Sequence, residues 1–216
     1  MDPRTQRFIE APLLPLILKL AAPNVSGFLA QSAVILVEVW VIGQLGTEPL
    51  ATIALVFPLL ILLLTVSGGA VGGAISSSVA RYLGAGNRDR AIKAAMVGAG
   101  LAAAIGAGIG LPLALGPMAW IPLFASNADV ASMTTTYIQY AGPCYAFLAV
   151  GLVLYFAAQG AGRMRWPVIA TFVRFSVAVG GAYVWVAWGE GFEAIIMMAA
   201  AGIVLYGSII ALSLKL

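Results

Sequence analysis

Glu38 is the residue in this chain whose type and position could do chemistry. It lies midway along an apolar run from Val25 to Leu45, inside Ile35-Leu36-Val37-Glu38-Val39-Trp40-Val41. A charge at the centre of a bilayer span costs at least about 2.5–3.5 kcal/mol on insertion scales. A carboxylate kept there is either compensated by its surroundings or protonated for part of its working life. Both states suit a protein that binds a proton or a cation inside a membrane. Asn24, Gln31 and Glu38 follow one another at intervals of seven. They therefore share one face of a helix, drifting about 20° per heptad. Such a stripe is either the wall of a hydrated cavity or polar contact between helices. The ionisable Glu38 favours the cavity, since contacts between helices rarely need a carboxylate.

Other polar residues are candidates for the same space. Tyr137, Gln139, Tyr140, Tyr155 and Gln159 lie along one later apolar segment, and each alone also fits a structural role. Arg174 lies about 12 Å inside another segment, at 1.5 Å per residue. It is expected to snorkel back to the cytoplasmic surface. A pair with Glu38, or a place in the cavity wall, is the alternative.

The elements that position these groups are membrane helices. The chain has 216 residues, 62% hydrophobic and 9% charged, where a soluble domain carries about 25% charge. It is expected to be an all-α integral membrane protein, a single domain over residues 1–216. A span needs about 20 apolar residues, and six segments qualify, at about 13–45, 50–82, 91–115, 131–158, 166–188 and 194–214. The start of the chain faintly resembles a signal peptide. Pro12, Pro15 and Lys19 interrupt its apolar region, so it is read as part of the first span.

Charge placement orients the six segments. Ten of the eleven basic residues precede or begin segment 1, surround the connection from segment 2 to segment 3, sit between 4 and 5, or end the chain, and Arg174 is the exception. The opposite connections hold Glu48, Asp129, Glu190 and Glu193 without Lys or Arg. The positive-inside rule then predicts both termini in the cytoplasm. The Pro-rich piece Gly116–Phe124 is too short to cross and is expected at the outer interface. Trp120, Trp185 and Trp188 are expected at that level too.

Glycines mark where helices meet or bend. Gly68, Gly69, Gly72 and Gly73 cluster in segment 2, and Gly98, Ala102, Gly106 and Gly110 repeat every four residues in segment 3. Small residues at that spacing let backbones approach closely. The first cluster, with Pro23 and Pro58, is also a candidate hinge set.

Several chemistries are excluded. The chain has no histidine and one cysteine, Cys144. Internal disulfides, Cys/His zinc sites and His-based catalysis are therefore ruled out, and no second carboxylate lies deep in a span to complete an acid dyad. The chain is not expected to be an enzyme, with no catalytic residue, metal or cofactor. Gly84-Ala85-Gly86-Asn87-Arg88 has no preceding strand and no Gly-Lys-Ser/Thr, so nucleotide binding is not expected. The net charge of +3 follows from membrane orientation and does not call for nucleic acid.

Three stretches together resemble the multidrug and toxic compound extrusion (MATE) transporters. Leu36-Val37-Glu38-Val39-Trp40-Val41-Ile42-Gly43-Gln44-Leu45-Gly46-Thr47-Glu48-Pro49 looks like the end of that family's first helix and the turn after it. Val79-Ala80-Arg81-Tyr82-Leu83-Gly84-Ala85-Gly86-Asn87-Arg88-Asp89-Arg90-Ala91 is similar to its turn after helix 2. Gln159-Gly160-Ala161-Gly162-Arg163-Met164-Arg165-Trp166-Pro167 resembles the turn between helices 4 and 5 of a six-helix lobe. The resemblance implies export of organic cations or other amphipathic drugs by alternating access, coupled to H⁺ or Na⁺, in a bacterial inner membrane. It implies that Glu38 is the ion-coupling residue. Asp is common there, so Glu leaves the choice of ion open.

Members have about twelve helices in two lobes, whereas this chain predicts six. It is read as one MATE-like lobe, an internally shortened relative or a fragment. With six spans two copies insert in the same orientation, so a parallel homodimer is expected to rebuild two lobes. The rival readings are a flippase for lipid-linked precursors, or a nonfunctional fragment or helper subunit of a larger transporter. The expected partners are membrane lipid and a small amphipathic or cationic substrate.

Overall fold

The computed structural model of the protein describes residues 12–188 and 191–213. Among these no strand forms. Long apolar runs leave backbone groups no partner in lipid except their own helix. Helix α1 is Leu13–Gly43. Helix α2 is Thr47–Gly84, continuous through a π-helical stretch at Thr65–Gly72. Helices α3 and α4 are Arg88–Leu115 and Ala128–Gly160. Helix α5 is built from Arg165–Phe175, a π-helical turn Ser176–Gly180 and Gly181–Ala187. Helix α6 is Phe192–Ser213.

Among the described residues five helices are long and apolar enough to cross a membrane: Thr47–Gly84, Arg88–Leu115, Ala128–Gly160, Arg165–Trp185 and Phe192–Ser213. The first expected span corresponds to α1, which is not among those five. Inside α1 the side chains of Pro23, Asn24 and Gln31 lie outside the described residues. The five hinge candidates on α2 have clear places: Pro58 lies within the helix, while Gly68, Gly69 and Gly72 fall in the π-helical stretch that Gly73 ends.

Turn chemistry breaks the helices where the sequence allows it. Gly86 and Gly162 take φ values of +72° and +67° just past α2 and α4, the left-handed conformation that glycine adopts freely. The amide of Asn87 then donates back to the Tyr82 carbonyl at 2.8 Å, and that of Arg163 to Ala158 at 2.9 Å. The Gly84–Arg88 segment is thus a helix terminus. Asn127 caps α4, its side-chain oxygen accepting from the amides of Asp129 at 2.8 Å and Val130 at 3.4 Å. Asn127→Ala is expected to cost about 1 kcal/mol of stability, read as a lower midpoint of thermal unfolding in detergent.

The piece after α3 forms two 3₁₀ turns, Pro117–Ala119 and Ile121–Leu123. Pro117 has no N–H to continue the helix onto the Leu113 carbonyl. The Trp120 indole takes its place, Nε1 donating to that carbonyl at 3.3 Å. Trp185 and Trp188 are exposed and meet edge to face.

Helix α4 is central. Of its most apolar stretch 61% is buried, against at most 44% in the other spanning helices. The four-residue repeat of α3 packs on it, with Gly98, Ala102, Gly106 and Gly110 all buried. A Cβ on Gly106 would lie 2.6 Å from the Tyr145 carbonyl oxygen, so the two backbones touch. Gly72 instead gives way to the ring of Phe156, 2.6 Å from where its Cβ would be. The helix-packing role of these glycines is therefore visible directly.

Helix α1 is held differently. Among its described side chains only Val41 and Ile42 are fully buried. They join Ala182 and Ile195 in a small cluster apart from the main core. Leu29, Leu36 and Trp40, spaced on one face of α1, are exposed.

Candidate functional site

Glu38 sits one turn before Val41 and Ile42, on the length of α1 that touches the rest of the bundle. It is half-buried and lines a cavity of about 70 Å³ walled by α1, α2, α4, α5 and α6. Tyr137 of α4 and Arg174 of α5 line it too, and the remaining lining residues are apolar. One water needs roughly 10–15 Å³ measured this way, so several fit. Drug-sized ligands occupy about 300–1,000 Å³, so none fits this cavity.

Arg174 does not snorkel. It is 6% exposed, and its guanidinium carbon lies 5.9 Å from the centroid of the Tyr206 ring, within cation–π range. Gly202 opens this place on α6, because a Cβ there would lie 3.1 Å from the Arg174 carbonyl oxygen. The expectation of a surface arginine fails for a physical reason. Snorkelling is favoured when the alternative is lipid, but here the alternative is a protein interior with an aromatic face and a carboxylate. Glu38 and Arg174 act on each other electrostatically, and Tyr137 feels both. Arg174 Nε and Nη1 are nevertheless buried with no hydrogen-bond partner. The π-helical turn Ser176–Gly180 begins two residues after Arg174. Such turns recur at functional sites because they re-aim the helix face.

The other candidates on α4 are not brought to this cavity. Gln139 is exposed. Tyr140 is also exposed, its hydroxyl donating to Glu193 Oε1 at 2.6 Å and tying α4 to the first turn of α6. Tyr140→Phe is expected to cost no more than about 1 kcal/mol, the value of an exposed pair, read as the midpoint of thermal unfolding in detergent. Tyr155 is buried 18 residues beyond Tyr137, about 27 Å along the helix. Gln159 lies four residues further, its Oε1 buried without a partner beside the helix end. A straight helix of that length cannot present all five groups to one small space.

Tyr206 and Tyr145 are residues that the polar-stripe reasoning passes over. Both are fully buried, and the Tyr145 hydroxyl lies beside that of Tyr137. Their signal in the sequence is a hydroxyl-bearing ring within an otherwise apolar run, with small residues nearby at Gly142, Gly202 and Gly207. Among the described residues no group of three or more His, Cys, Asp or Glu is placed to hold a metal ion.

Comparison with known proteins gives the arrangement a context. A sequence profile for MatE matches residues 23–184. A protein described as an FAD transporter, from Shewanella oneidensis, is 32% identical over 83 residues, covering 38% of this chain and 18% of that protein. The fold is similar to that of a solved MATE transporter, ClbM in complex with Rb⁺, at a TM-score of 0.83 and 18% identity, over 90% of this chain and 46% of that one. It is likewise similar to a MOP superfamily transporter from Pyrococcus furiosus, described as having a binding pocket of reverse polarity, at a TM-score of 0.79 and 19% identity, over 90% of this chain and 43% of that one. The chain thus spans less than half the length of the transporters it matches.

Proposed function

This chain belongs to the MatE family of transporters, and on that ground we propose that it exports amphipathic organic compounds by alternating access against an inward flow of protons, with Glu38 as the coupling carboxylate. The observation that carries the reading is the cavity that Glu38 shares with Arg174. It is large enough for water and ions, too small for a drug, and holds one titratable acid among its lining residues. A proton is favoured over Na⁺ as the coupling ion. A hard cation needs several oxygen ligands, and this wall offers only the Glu38 carboxylate and the Tyr137 hydroxyl, with the Arg174 charge opposing entry.

The proposed cycle uses the loose attachment of α1. Deprotonated Glu38 is drawn towards Arg174, and protonated Glu38 is released from that attraction. Proton binding thereby changes which position of α1 is preferred, which is the differential affinity that coupling requires. Substrate would bind outside the cavity, on the face of the lobe. A second lobe is needed to close that space, and a parallel second copy of this chain would supply it, meeting the exposed Leu29, Leu36 and Trp40 of α1. Both termini would lie in the cytoplasm of a bacterium, with the protein in its inner membrane. A flippase for anionic head groups would need several cations, and Arg174 is the single one lining this cavity.

The test is efflux of a fluorescent organic cation from proteoliposomes under an imposed pH gradient or an imposed Na⁺ gradient. Efflux is expected with the first and not the second. No efflux with either, from correctly inserted protein, would support a fragment or helper subunit instead. Crosslinking in bilayers that finds only monomers in an active preparation would remove the homodimer.

A further inference from the structure

We propose that the Glu38–Arg174 cavity binds one small monovalent anion, held by Arg174 when Glu38 is protonated. The proposal rests on Glu38 as the proton-binding group of the transport reading above, but concerns a ligand that reading does not use.

Arg174 brings a guanidinium, a planar cation with five N–H donors, into the cavity wall. It is 6% exposed, and Nε and Nη1, which carry three of the five guanidinium N–H donors, have no acceptor. A buried charge of this kind requires a compensating charge close by. The groups that face it are Glu38 from α1, Tyr137 from α4 and Tyr206 from α6, with Tyr145 and Tyr155 one layer further out. The lining residues contributed by α2 are all apolar. Only Glu38 among these can carry negative charge near neutral pH. Ionised, it makes the cavity neutral overall; protonated, it leaves one uncompensated positive charge in a low-dielectric space. An entering anion restores neutrality, and the Tyr137 hydroxyl is a second donor in the same wall. The 70 Å³ volume admits a halide-sized ion with a few waters and is too small for a large organic anion such as gluconate.

Proton and anion therefore bind with positive coupling, and each strengthens the other by the same factor. The probe is bromide, titrated calorimetrically into the purified full chain in nanodiscs with gluconate as the background anion. Native protein should bind bromide more tightly as pH falls, by about tenfold per pH unit while Glu38 titrates, the slope for one proton per anion. Glu38→Gln should bind bromide tightly at every pH. Arg174→Gln should not bind it, nor should the double variant Glu38→Gln/Arg174→Gln, which removes both buried charges together and so guards against misfolding of the single variant. Bromide binding that ignores pH in the native protein, or that survives in the double variant, would overturn the proposal. Intact bromide–proton linkage without pH-driven efflux would keep the anion site and refute the transport coupling.

Discussion

Glu38→Gln should reduce pH-driven efflux to the leak of protein-free vesicles while leaving the protein folded. The substitution keeps the shape of the side chain and removes both its charge and its titration. On the proposed mechanism Glu38 exchanges a proton in the cavity that it shares with Arg174. With Gln the attraction between α1 and α5 no longer depends on pH, so a proton gradient has nothing to act on. Stability should fall, because buried Arg174 loses its compensating charge, but α1 keeps its anchor at Val41 and Ile42. The measurement is efflux rate against imposed pH gradient, with thermal unfolding of the same preparations. A variant that transports like the native protein would remove Glu38 from the mechanism. Glu38→Asp should retain coupling, with a shifted pH profile, because it keeps a carboxylate on a shorter arm.

Gly106→Ala should be among the most damaging small substitutions in the chain. Its new methyl group would sit 2.6 Å from the Tyr145 carbonyl oxygen and 2.7 Å from Ala146 Cα. Both are backbone atoms, so no side-chain rotation relieves the overlap. Helices α3 and α4 must separate, and overpacking costs about 1–3 kcal/mol or more. Gly72→Ala meets chiefly the Phe156 ring, which can turn, with the Ser67 carbonyl oxygen at 3.1 Å, and should cost less. Gly108→Ala meets nothing within 4 Å, and better helix propensity should make it neutral or stabilising by up to about 1 kcal/mol. The order Gly106 worst, Gly72 intermediate, Gly108 harmless can be read from the monodisperse fraction that survives heating in detergent. Equal loss at Gly106 and Gly108 would show that backbone contact is not what the α3 repeat provides.

The local features of the sequence carried far into the structure. Apolar runs of membrane length became helices because lipid leaves the backbone no other partner. Gly86, Gly162 and Asn127 stood at helix ends because left-handed φ and side-chain capping are properties of single residues. The α3 repeat marked the buried seam because period and residue size are written in one dimension.

What the sequence by itself determined was therefore the membrane class, the helices and the isolated carboxylate at Glu38. Only the tertiary structure decided which groups Glu38 meets. It turned Arg174 inward against Tyr206, selected Tyr137 from the five cavity candidates on α4, and directed Tyr140 to Glu193. It also set the cavity at a volume that suits ions and not drugs. These outcomes depend on the rotation of each helix against neighbours distant in the chain. Periodicity gives the faces of a helix, but packing chooses which face looks at which partner.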